Sequence, residues 1–178
     1  MENKPGLLQH TMTWGAITGI VLIIYSLLLY LLNQTYNQAL GFISYVFLIG
    51  GILIGSFAYR DKVLGGKISY GNAFVTGLLI TVFAGILSSF FSFILVRFVD
   101  PGMVEQAIVK TEENLMNRGL SEDQIEIAIE RSRKFISSPM TVVWGIFIFT
   151  LIGSVISLIT AAIVKKEGSP FDNETQPV

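Results

Sequence analysis

Cysteine is absent and histidine occurs once, at His10. Disulfides, thiolate nucleophiles and cysteine-ligated metals are therefore excluded. A single imidazole near a terminus reads as a solvated side chain, because a metal site needs several converging ligands. Charge is scarce as well: Asp, Glu, Lys and Arg make up 14% of the 178 residues, against about 25% in a soluble domain. The net charge of −1 offers no basic field, so nucleic acid is not an expected partner. No HExxH, Walker, GxSxG or dinucleotide-binding pattern occurs, so the motifs imply no catalytic site, cofactor or metal.

What remains is oil. Hydrophobic residues make up 52% of the chain, and the mean hydropathy is +0.64. Four charge-free runs, at about 14–32, 39–59, 73–96 and 140–164, are each long enough to cross about 30 Å of hydrocarbon as a helix. Backbone amides in lipid need partners within their own segment, so each run is expected to be helical. The first run is longer than the ~7–15 apolar residues of a signal peptide and lacks an A-x-A site, so it reads as retained. The expected fold is all-α: one integral membrane domain over 1–178, built as a four-helix bundle in the lipid bilayer, with a flexible tail at about 167–178.

Charges at the run ends bear on orientation. With both termini inside, Lys4, Arg60, Lys62, Lys67, Lys165 and Lys166 face in, while Arg97, Lys110, Arg118, Arg131, Arg133 and Lys134 face out. Basic residues near the span ends thus balance. The first helix usually dominates, and it has Lys4 on one flank and the uncharged NQTYNQ on the other. The reading is both termini cytoplasmic, with the segment between the third and fourth helices on the outer side.

That segment, about 100–137, carries the punctuation of water-side helices. Asp100-Pro101 resembles an N-cap acid followed by proline in the first turn. Val104, Ala107, Ile108, Leu115 and Met116 recur at helical spacing. Gly119 suits a left-handed helix end, with Leu120 placed to contact Leu115 in a Schellman motif. Ser121 and Gln124 fit a capping box. Ile125, Ala128, Ile129 and Ile136 form a second stripe, and Ser138-Pro139 resets the chain. An extramembrane amphipathic helical hairpin is expected here. Its eight acids and five bases between Asp100 and Lys134 disfavour anionic lipid as its cover. It covers its own bundle or docks a partner protein.

Within the runs, Gly15 with Gly19 and Gly51 with Gly55 are small-xxx-small pairs, expected to bring the first and second helices together. Trp14, Tyr59 and Trp144 read as an interfacial belt, and Asn72 as a cap or an interhelical bond. Ser88, Ser89 and Ser92 are expected to bond their own helix. No Asp, Glu, Lys, Arg or His falls inside the four runs, although such residues normally mark proton relays and ion pathways. The residues point to a non-enzymatic multi-pass membrane protein. The alternative is a small transporter or channel subunit, lined by hydroxyls and backbone and working as a homo-oligomer.

Several stretches together look familiar: ITGIVLIIYSLLLYLL, GKISYGNAF, the acidic segment containing RGLSEDQIE, and SPMTVVWG through SLITAAIVKKE. They resemble domain of unknown function family 4199, a group of small four-helix bacterial membrane proteins, over nearly the whole chain. The resemblance implies an integral protein of the bacterial inner membrane. That family has no established activity, so no functional residue is carried over.

Overall fold

A computed structural model describes residues 6–136 and 138–166. Lys4 and the tail at 167–178 lie outside the described residues. The described chain is all-helical: α1 (Leu7–Leu31), α2 (Gln38–Ala58), α3 (Tyr70–Ile94), α4 (Met103–Asn117), α5 (Glu122–Ile136) and α6 (Met140–Val164). No strand occurs among these residues; one isolated antiparallel bridge joins Ile68 to Lys166. Helices α2 and α3 each end in a π-helical turn, Tyr59–Val63 and Leu95–Val99. These turns carry Arg60, Asp61, Lys62 and Arg97 onto the ends of the apolar helices. Four helices are long and apolar enough to cross a membrane.

Polarity in these four helices is inverted relative to a water-soluble protein. Thr11, Thr18, Ser56, Thr76, Thr81, Ser157 and Thr160 are buried, while Ile24, Phe42, Val46, Phe147, Leu151 and Val155 are exposed. Water would favour the reverse arrangement. Small hydroxyl side chains suit helix interfaces in lipid, because they allow close backbone approach and bond within their own helix. Thr18 donates to Trp14 O at 2.8 Å, Thr76 to Asn72 O at 2.7 Å and Thr81 to Gly77 O at 3.0 Å.

Helix α3 lies between α1 and α6 and packs most extensively against α6. The seam is a ladder with rungs every fourth residue. Gly77 meets Ser157, Thr81 meets Gly153, Gly85 meets Phe149 and Ser89 meets Gly145. One partner number rises by four as the other falls by four, so the two helices run antiparallel. Each rung sets a glycine against a larger side chain. A Cβ on Gly85 would stand 2.8 Å from Phe149 Cδ1, and one on Gly77 would stand 2.8 Å from Ser157 Oγ. Gly15 and Gly19 likewise receive α3, at Phe83 and Leu87, and here the numbers rise together, so α1 and α3 run parallel.

The glycine pairs divide their work in a way the sequence reading did not anticipate. Helices α1 and α2 do meet at Gly51 and Gly55, but Gly51 receives Thr18, and Gly55 receives Trp14 together with Ile80 of α3. Gly15 and Gly19 are turned to α3 instead. Trp14, half-buried, is therefore a packing residue.

Tyr59 is buried too, 5.0 Å ring-to-ring from His10. The reading of His10 as solvated is overturned. Helix α1 begins seven residues before the apolar run, and His10, 7% exposed, faces α2. Its Nε2 lies 2.9 Å from Gly55 O; a carbonyl only accepts, so Nε2 carries the proton. At the same end Arg60 lies over the Phe57 ring, 4.8 Å from its centroid, and donates to Val164 O at 3.2 Å. These bonds gather the start of α1, the α2–α3 connection and the end of α6 at one end of the molecule.

The opposite end holds α4 and α5. Asp100 does not cap α4 directly. Its Oδ1 accepts from Gly102 N at 3.0 Å, and its carbonyl accepts from Met103 N at 3.2 Å. Pro101 and Gly102 thus form a tight turn, and α4 starts at Met103 with Gly102 as its N-cap. Ser69, not Asn72, caps α3, accepting from Asn72 N at 3.3 Å. Gly119 takes φ +75°, a left-handed value that favours glycine. Gly119 N donates to Met116 O at 2.9 Å, and Leu120 N reaches toward Leu115 O at 3.4 Å, which is the Schellman pattern. Ser121 N donates to Gln124 Oε1 at 3.2 Å, one half of a capping box.

Candidate functional site

Helices α3 and α6 stay in contact as far as Ser89 and Gly145; beyond that rung a cavity of about 460 Å³ opens. Helix α1 supplies Leu22, Ile23 and Ser26, α2 supplies Ser44, and α3 supplies Ser88, Ser89, Phe91, Ser92 and Phe93. Val96 and Arg97 follow on the π-helical turn. Thr141, Val142, Gly145 and Phe149 of α6 form the far wall. Pro101 and Val104 at the root of α4, with Ile136 at the end of α5, close one side. The size falls within the roughly 300–1,000 Å³ usual for ligand pockets, and apolar walls with a few polar groups are their usual make-up.

Five serines line this cavity, and their hydroxyls differ from those of most threonines in the long helices. Most threonines of the long helices donate to a carbonyl of their own helix. Ser26, Ser44, Ser88, Ser89 and Ser92 make no side-chain hydrogen bond among the described residues. The expectation that Ser88, Ser89 and Ser92 bond their own helix is thus overturned. The Ser88 hydroxyl is out of reach of solvent as well as unpartnered. A buried hydroxyl without a partner costs about 1–3 kcal/mol; Ser56 and Ser157, outside the cavity, share that state, but only at Ser88 does a cavity with further unpartnered hydroxyls adjoin it. Spacing explains the placement: Ser88, Ser92 and Gly85 fall on one face of α3, three or four residues apart.

Arg97 is the only charged side chain of the lining. It is exposed, and no carboxylate pairs with it among the described residues. The remaining cations at this end are mostly engaged. Arg133 pairs with Glu105, Lys134 with Glu130 and Lys110 with Glu113, each at 2.7 Å. Hydrogen bonds from Arg133 and Lys134 hold Glu105 and Glu130 below the ordinary carboxylate range. Burial, reinforced by Asp100, raises the Tyr36 phenol above its ordinary value.

Two tyrosines, one at the end of α1 and one in the α1–α2 connection, fasten the closing segment. Tyr30 donates to Asp100 Oδ2 at 3.2 Å, and Tyr36 donates to Met103 O at 2.7 Å. A narrower cleft of about 330 Å³ runs between α2 and α6 and shares Ser44, Gly145 and Phe149 with the main cavity. Its other walls are Gly41, Tyr45, Leu48, Ile148 and Ile152.

Among the residues singled out in sequence, Gly15, Gly19, Gly51 and Gly55 lie in helix seams away from this cavity. Gly119, Leu120, Ser121 and Gln124 form the α4–α5 turn. No group of three or more His, Asp or Glu side chains is gathered for a metal among the described residues. Arg97, Ser26 and Ser44 were not recognised as site residues. Their signal was weak: isolated serines inside apolar runs, and one arginine just past a run end.

A family model described as a protein of unknown function, DUF4199, matches residues 13–166. The chain belongs to the DUF4199 family. The matched region contains every residue of the cavity and of the α4–α5 turn, so within this DUF4199 chain the site is part of the family's domain and not an appendage. No curated protein and no solved structure matches the chain.

Proposed function

We propose that this chain is a non-enzymatic multi-pass protein of the bacterial inner membrane that holds a small membrane-borne molecule beneath a helical lid. In this reading the four apolar helices form a bundle across the bilayer, with both termini cytoplasmic. Helices α4 and α5 form an amphipathic hairpin on the outer side and cover one end of the bundle. The observation that carries it is the roofed cavity: Pro101, Val104 and Ile136 close a chamber whose other walls come from the long helices. The apolar outer faces of those helices support a lipid surround. The chamber offers an arginine and hydroxyls but no imidazole, carboxylate or amine to move a proton, which supports binding over catalysis.

Cysteine labelling tests the topology, because the native chain has no cysteine. In intact cells an impermeant thiol reagent is expected to label Asn117→Cys, and to label Leu64→Cys only after the membrane is opened. The reverse pattern inverts the orientation. Labelling of both sites in intact cells rejects the four-span reading. The rival, an oligomeric transporter or channel subunit, is favoured by the row of free hydroxyls; crosslinking in native membranes would then give a closed ring of identical copies.

A further inference from the structure

The roofed chamber and the cleft beside it differ in chemistry, and they share part of one wall. The chamber offers five hydroxyls without protein partners and one guanidinium without a carboxylate. The α2–α6 cleft is almost wholly apolar, and its Tyr45 and Ile148 are exposed on the outer surface of the helices. Ser44, Gly145 and Phe149 belong to both. A chamber with a guanidinium and hydroxyls set among apolar walls, adjoining an apolar slot on the outer surface of the helices, matches a molecule with an oxygenated head and a hydrocarbon tail.

The guanidinium fixes the sign of that head. Arginine matches phosphate through paired N–H donors, and serine hydroxyls donate to the remaining oxygens. A soluble anion would satisfy Arg97 but leave the cleft unused. A purely apolar chain would fill the cleft but leave Arg97 and the serines unmet. We infer that this site binds a lipid of the surrounding bilayer whose head carries an anionic phosphate, with the phosphate at Arg97 and the serine row and one acyl chain in the α2–α6 cleft. The inference rests on the reading that the four helices cross the membrane, which cysteine labelling tests separately.

Full-length protein in a neutral detergent, with lipid adducts counted by native mass spectrometry, provides the test. Three probes isolate the parts: phosphatidylglycerol, diacylglycerol with the same chains, and glycerol phosphate. Phosphatidylglycerol is expected to bind about tenfold or more tightly than diacylglycerol, the scale of one charge-assisted contact. Glycerol phosphate alone is expected not to displace it. Arg97→Gln, an exposed substitution that leaves the packing intact, is expected to remove the preference, and Ser44→Leu to weaken both lipids by obstructing the junction. Equal binding of phosphatidylglycerol and diacylglycerol would overturn the proposal, as would an unchanged preference in Arg97→Gln. Full displacement by glycerol phosphate would make the site one for a soluble anion. None of these results alters the labelling pattern, so the lipid assignment and the topology fail independently.

Discussion

Arg133, near the end of α5, closes on both carboxylate oxygens of Glu105, near the start of α4, at 2.7 and 3.2 Å. The pair joins the two helices at the root of the hairpin, where α4 leaves α3 and α5 leads into α6, so it bears on how easily they separate. Glu105 titrates below its ordinary 4.5 because Arg133 donates to it, and Glu130 is lowered in the same way by Lys134. A depressed carboxyl stabilises the folded form above its unfolded pKa, and that contribution is lost as pH falls through the folded value. Amide exchange in α4 and α5 is therefore expected to be slow at neutral pH and to quicken, after correction for intrinsic rates, as the pH drops below about 4.5. High salt is expected to act in the same direction, because these groups are exposed. Exchanging the two charges in a Glu105→Arg, Arg133→Glu double variant should recover most of the protection that either single change removes.

Gly153→Ala is expected to destabilise the protein by about 1–3 kcal/mol, the scale of an overpacked interface. The new methyl would collide with Thr81, whose position is fixed by α3. Gly50→Ala is the control, since nothing lies within 4 Å of the added carbon there; it should stay within about 0.5 kcal/mol of the native protein. Unfolding of the two variants in detergent, followed by circular dichroism, makes the comparison.

Gly119→Ala should cost about 1–2 kcal/mol, because a side chain is strained in the left-handed region. The loss should be local: faster exchange at the end of α4 and the start of α5, with α1, α3 and α6 unchanged. A global loss of stability would mean that the turn holds more of the molecule together than its hydrogen bonds indicate.

His10→Ala is expected to cost about 1–3 kcal/mol through a lost buried hydrogen bond and lost ring packing. Gly55 O also accepts from Tyr59 N, so the carbonyl is not orphaned and the lower half of that range is expected. His10→Gln should recover part of the loss, because the amide can still donate. If Ala and Gln variants unfold alike, the bond to Gly55 contributes nothing and only the ring matters.

The long helices were legible because lipid imposes a crude rule: an unbroken apolar stretch of sufficient length. Helix α6, Met140–Val164, coincides with its expected bounds since Pro139 precedes it and Lys165 and Lys166 follow it. Helix α1 begins earlier than expected because Gln9, His10 and Thr11 interrupt the hydropathy without interrupting the helix. The turn at Gly119 was legible because its signals are local, each bond spanning a few residues. The four-residue ladder was not, since glycines are common in this chain and only the pairing of two distant helices tells a rung from a coincidence. The cavity was hidden for the same reason: a serine in an apolar run reads as self-satisfied until three helices show that it is not.

The seam between α3 and α6 has a consequence for biogenesis. Residues 100–139 are translated after α3 and before α6, so the most extensively packed helix is released from the ribosome well ahead of its main neighbour. In the four-span reading, until α6 emerges the notched side of α3 would face acyl chains or the insertion machinery. Assembly of this small protein is thus completed at its last helix, and a chain arrested before Met140 would leave an unmatched surface for quality control to recognise.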